Sequence, residues 1–126
     1  MKSRENLVRL KQFQVNEKRR RLAQLDTMMA EFERMANELD AQIVAEETKA
    51  GITDQSHFAY PTFAKAARLR RDNLRTSQNE LAEQKAQAEA ELAESEAELK
   101  KAEALEMRDG KRTGDSDGET SRAMVG

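Results

Sequence analysis

Apolar residues in the first third of the chain recur at Val8, Val15, Leu22, Leu25, Met29, Phe32, Ala36, Leu39 and Ile43. From Leu22 onward the steps alternate between three and four residues, which gathers them into one stripe on a helix, in the a/d spacing of a coiled-coil seam. Met28 and Met35 lie beside this stripe and widen it. Upstream it thins, because Lys11 and Lys18 occupy the matching d positions. No Gly or Pro interrupts residues 6–48, so a single first helix is expected over about residues 4–50.

A break follows at GITDQSHFAYP, residues 51–61. Gly51 is suited to end a helix, since glycine adopts positive φ without a Cβ clash. Pro61 is suited to a first helical turn, where its missing N–H has no partner to lose. Beyond it a second stripe runs through Phe63, Ala67, Leu74 and Leu81, then Leu92 and Leu99 with Ala88 and Ala102 beside them. The 11-residue step from Leu81 to Leu92 inserts four residues into the heptad, a stutter that locally unwinds a supercoil. A second helix is expected over about 61–107, with a thinly packed alanine-rich end.

These elements predict an all-α fold: two long helices in an antiparallel coiled-coil hairpin over 1–107, with a turn at 51–60. The remainder, 108–126, carries four of the five glycines and few bulky apolar groups, too few to offset the entropy of ordering, and is expected to be a disordered C-terminal tail.

Composition narrows this further. Charged residues and the apolar set each make up 37% of the 126 residues, and one proline and five glycines leave few places to turn, which argues against sandwiches, barrels and most α/β folds. The net charge of −2 conceals a block pattern. Residues 1–21 hold eight basic and two acidic side chains, 22–47 one and seven, 65–75 five and one, and 78–106 three and nine. Folding the chain near Ser56, so that paired residue numbers add to about 112, sets each basic block against an acidic one. Such a pattern selects register more than it adds stability.

Candidate chemistry is sparse. The chain has no cysteine, a single histidine (His57), no Gly-rich phosphate loop and no G-x-S-x-G, so no catalytic residue, metal site or cofactor is expected and the protein reads as a non-enzyme. No apolar run approaches a membrane span, and MKSRENLVRL lacks a secretory apolar region, which makes a cytoplasmic protein the default. The basic first third, with Arg4, Arg9, Lys11 and the run Lys18-Arg19-Arg20-Arg21, has two readings. It faces an acidic partner, or it is a solvated face paired with the second helix; nucleic acid is disfavoured, because the helix lacks stacking aromatics. Three of the five aromatics, Phe58, Tyr60 and Phe63, fall within six residues at the break. With Ile52 they form either a cap on the core or an apolar docking patch.

The amphipathic basic start, the break Gly51-Ile52 with Tyr60 and Phe63 beyond it, and above all the block HFAYPTFAKAARLRRDNL (residues 57–74) resemble the flagellar FliJ family in its alphaproteobacterial form, over about residues 1–106. The resemblance implies a component of the flagellar type III protein export apparatus. Members are antiparallel coiled-coil hairpins whose paired helical termini enter the pore of the hexameric export ATPase and promote its assembly and activity. They also contact the cytoplasmic domain of the export gate protein and export chaperones. By this resemblance Arg4, Arg9, Lys11, Lys18, Arg19, Arg20 and Arg21 would face the ATPase, and Tyr60, Phe63, Ala67 and Leu74 the gate. Phe63 matches a family gate position; Ala67 and Leu74 hold equivalent positions with different side chains, and the family's tyrosines on the first helix are Ala45 and Lys49 here. The location implied is cytoplasmic, peripheral at the inner face of the cell membrane through partners. The competing expectation is a generic coiled-coil scaffold or holdase chaperone acting by self-association.

Overall fold

The computed structural model describes the backbone of residues 2–125 and the side chains of residues 3–110. Two helices, α1 (Lys2–Ala50) and α2 (Thr62–Val125), are joined by residues 51–61, and no strand occurs among the described residues. The all-α, two-helix architecture is the expected one, with α1 beginning two residues before the expected start. Arg108–Gly110 continue α2 past the expected boundary, and Asp109 pairs there with Arg4. The tail expected at 108–126 lies outside the described side chains from residue 111 on. No helix among the described residues is long and apolar enough to cross a membrane.

The helices pack antiparallel. Ion pairs between them, from Lys11–Glu98 and Lys18–Glu91 to Asp40–Arg71 and Glu47–Arg68, join residues whose numbers add to between 108 and 115, so the register follows the charge blocks.

The chain forms two compact units, Leu22–Gln87 and Met1–Arg21 with Ala88–Gly126. In the first, which contains the turn, the stripe residues Leu25, Ala36, Leu39, Ile43, Ala67 and Leu81 are buried, together with Tyr60 and Ala64. Leu39, Ile43 and Ala67 form one cluster against which Leu74 packs. In the second, which contains the chain termini, the buried positions are Val15, Ala88, Ser95 and Ala102. Alanine in place of leucine removes three carbons from burial, about 2 kcal/mol per position. The terminal unit therefore has the thinner core, and at its d positions Lys11 and Lys18 reach across to Glu98 and Glu91 at 2.9 and 3.0 Å.

The turn has an identifiable stop signal. Gly51 takes φ +70°, its N–H donates to the Glu47 and Thr48 carbonyls (2.8 and 3.3 Å), and the Ile52 N–H donates to Glu47 O (3.3 Å). This is a Schellman ending, which satisfies carbonyls that the last helical turn leaves open. Asp54 Oδ1 then accepts from the Ser56 N–H (2.9 Å) and hydroxyl (2.7 Å), and the His57 N–H donates to Asp54 O. The Pro61 carbonyl accepts from the Lys65 N–H at 3.0 Å, the first bond of α2.

Candidate functional site: two unlike flanks of the turn unit

In the turn unit the two sides of the apolar seam differ in chemistry. On one side α1 presents Asp26, Glu33, Asp40 and Glu47, spaced by sevens, and α2 answers with cations. Lys85 Nζ reaches Asp26 at 2.7 Å, Arg75 Nη1 reaches Glu33 at 2.7 Å, Arg71 Nη1 reaches Asp40 at 3.0 Å and Arg68 Nη2 reaches Glu47 at 2.7 Å. The Gln78 amide adds a hydrogen bond, donating from Nε2 to Glu33 at 2.7 Å. The Glu33 carboxyl is held below its ordinary value, first by that amide and then by Arg75. Arg71 is pushed the other way by Asp40 and then Asp72.

The end of this ladder is a clamp. Glu47 and Tyr60 are both buried, and Arg68 lies between them, donating from Nη2 to Glu47 and from Nε to the Tyr60 hydroxyl at 2.8 Å. The Arg68 pKa is raised first by Tyr60 and then by Glu47. Tyr60 is thereby drawn inward, as the capping reading required, while Phe58 is 96% exposed and stacks only on the His57 ring at 4.8 Å. His57 Nδ1 accepts from the Ala59 N–H at 3.0 Å, so the lone histidine shapes the turn. Asp54 is held below its ordinary value by the Ser56 hydroxyl and then the Ser56 N–H.

The other flank carries no such ladder. Its α1 row, again at sevens, is Met28, Met35, Gln42 and Lys49, and its α2 row is Phe63, Arg70 and Ser77. Met35, Arg70, Asn73, Leu74 and Ser77 line an open groove of about 230 Å³. Phe63 is 56% exposed. Arg70 is exposed and makes no ion pair or hydrogen bond with a described residue.

Of the expected gate residues, the structure leaves only Phe63 largely open to a partner. Leu74 is half-buried at the groove floor, Ala67 is in the core and Tyr60 is in the clamp. Of the expected ATPase-facing cations, four are paired across to α2: Arg4–Asp109, Lys11–Glu98, Lys18–Glu91 and Arg19–Glu96. Arg20 pairs with Glu17 one turn earlier, Arg21 is also engaged, and Arg9 makes no ion pair with a described residue. Sequence reasoning did not single out Arg70, nor the outward-facing Leu10 and Phe13. The heptad rows through Met35 and Arg70 carried a signal for the groove.

Among the described residues no group of three or more His, Cys, Asp or Glu side chains is placed to hold a metal, and every buried side-chain nitrogen and oxygen has a hydrogen-bond partner. Comparison with protein families, curated proteins and solved structures gives no match for this chain.

Proposed function

We propose that the chain is a non-enzymatic component of the flagellar type III protein export apparatus. In this reading it is a two-helix stalk that binds and stimulates the hexameric export ATPase and links it to the export gate protein and to export chaperones. It acts in the cytoplasm at the inner face of the membrane, held there by its partners. The observation that carries this reading is the chemical division of the turn unit. The α2 row that the family resemblance assigns to the gate begins with the exposed Phe63 and runs beside a groove lined by Arg70, while the ion pairs of Asp26, Glu33, Asp40 and Glu47 with α2 lie on the opposite flank.

An exposed aromatic beside an apolar groove and an exposed guanidinium has the composition of an interface hot spot. The ATPase contact belongs to the terminal unit, where the cations of α1 are held by partly exposed pairs. Such pairs contribute only about 0–1 kcal/mol each, so a charged pore can exchange them for its own contacts at little cost.

The test is binding of the cytoplasmic domain of the gate protein to the full chain and to Phe63→Ala and Arg70→Glu variants. Each variant is expected to weaken binding by about tenfold or more, the scale of an interface anchor. Unchanged affinity in both overturns the gate assignment. Separately, deleting residues 1–21 is expected to abolish ATPase stimulation, and intact stimulation overturns the pore assignment.

A further inference from the structure

Two surfaces of the terminal unit have no role in packing α1 against α2, and their chemistries are opposite. The first is the outward side of α1, where Leu10 and Phe13 are 51% and 60% exposed and the exposed Arg9 makes no ion pair with a described residue. The second is an open groove of about 440 Å³ lined by Glu5, Glu103, Glu106, Met107 and Gly110, in which Met107 is 74% exposed. None of its three carboxylates makes an ion pair with a described residue. By contrast Arg4, Lys11, Lys18, Arg19 and Arg20 in the same unit all have carboxylate partners.

The surfaces also adjoin. Glu5, at the groove edge, begins a row on α1 that continues one turn on with Arg9 and another turn on with Phe13. A surface that is basic and apolar on one side and acidic and apolar on the other is self-complementary about a two-fold axis between them.

We propose that the terminal unit docks onto a second copy of this chain, the Arg9–Leu10–Phe13 face of each seated against the Glu103–Glu106–Met107 groove of the other. Each contact pairs the Arg9 guanidinium with the Glu103 and Glu106 carboxylates and covers apolar side chains on both partners. An anionic lipid surface fits less well, because the groove carboxylates adjoin Arg9 and the next described cation along the outward row, Arg20, is already paired with Glu17. The interface is small and outside the apolar seam, so the dimer is weak and reversible, with a dissociation constant on the order of 10 μM, as for other small contacts. The proposal does not rest on the export reading, and its test needs no partner protein.

Sedimentation equilibrium of the full chain between about 1 and 200 μM is expected to show a monomer–dimer transition. Arg9→Glu, or Glu103→Lys with Glu106→Lys, is expected to weaken dimerisation at least tenfold by opposing like charges, with helical circular dichroism unchanged. Combining the three substitutions is expected to restore much of the loss, since the charges are then exchanged rather than removed. Leu10→Ser with Phe13→Ser is expected to give a monomer. A wild-type chain that is monomeric throughout, variants that dimerise like wild type, or a combined variant no better than its parents each overturn the proposal. Binding to phosphatidylserine vesicles without self-association overturns it as well.

Discussion

Replacing Arg68 by methionine keeps an unbranched side chain of similar length and removes the guanidinium that joins Glu47 to Tyr60. The loss is calculable in outline. Two hydrogen bonds disappear, one of them to a carboxylate, and bonds to charged groups contribute about 1.5–3 kcal/mol. Breaking a fully buried pair by removing one partner costs about 3–5 kcal/mol. Here the Arg68 and Glu47 side chains keep 22% and 10% of their exposure, so water replaces part of what is lost. The expected destabilisation is therefore about 2–3 kcal/mol, which lowers the melting temperature by on the order of 10 °C for a domain of this size. The discriminating variant is Arg68→Met with Glu47→Met, which removes both charges together. It is expected to recover at least about 1 kcal/mol relative to Arg68→Met alone, because the cost lies mainly in the stranded carboxylate. Urea unfolding followed by circular dichroism at 222 nm reads both values. If the single variant loses less than about 0.5 kcal/mol, or the double loses at least as much as the single, the clamp does not hold the turn in the way argued.

Other positions give independent checks. Leu25 is fully buried in the turn unit, so Leu25→Ala is expected to cost about 2–4 kcal/mol in urea unfolding, whereas Phe13→Ala on the outward face changes stability by less than about 0.5 kcal/mol. Gly51→Ala places a Cβ in open space but at φ +70°, so strain alone is expected to cost about 1 kcal/mol, seen as a lower urea midpoint at constant slope. Glu33 and Asp54 have folded-state pKa values below 4.5 and 3.8, so their contribution is complete above those values and is lost as pH falls through the lower folded ones. Melting temperature is accordingly expected to drop below about pH 4.5, and a Glu33→Gln variant to show a shallower drop; identical profiles would remove Glu33 from the account.

The register and the two-helix plan were legible because they are written in long-range sums: blocks of like charge and a stripe repeated over many turns. Lys18 opposite Glu91 and Asp40 opposite Arg71 follow from the blocks alone. The turn was legible only in part. Gly51 announced the helix end, but whether Tyr60, Phe58 or Phe63 turned inward depended on a three-residue contact among Glu47, Tyr60 and Arg68 that no periodicity encodes. The candidate site was obscured for a related reason. Counting cations in residues 1–21 gave a contact surface by total charge, whereas the cations nearest the seam are those with a partner within reach on α2. What faces outward is instead Arg9 with two large apolar groups. The acidic residues at 26, 33, 40 and 47 fall at sevens beside the d positions, a row that counting charges by block does not separate from the flank opposite.

The change of sign along the hairpin guards against a slip that the apolar seam alone would tolerate. In the terminal unit α1 supplies the cations across the seam, and in the turn unit it supplies the carboxylates. Sliding one helix by a heptad restores much of the apolar contact in the turn unit, where Leu22–Ile43 and Ala67, Leu74 and Leu81 repeat with that period. It does not restore the charges: one direction leaves Asp26, Glu33 and Asp40 opposite Leu92, Ala82 and Gln78, and the other leaves Lys18 and Asp40 opposite Gln84 and Ala64. A single long block of each sign would slide almost freely, whereas a reversed one has a single position of best fit. The alignment is thus set by the point at which the sign reverses, and an alanine-rich seam too weak to define its own register can inherit one from the charges beside it.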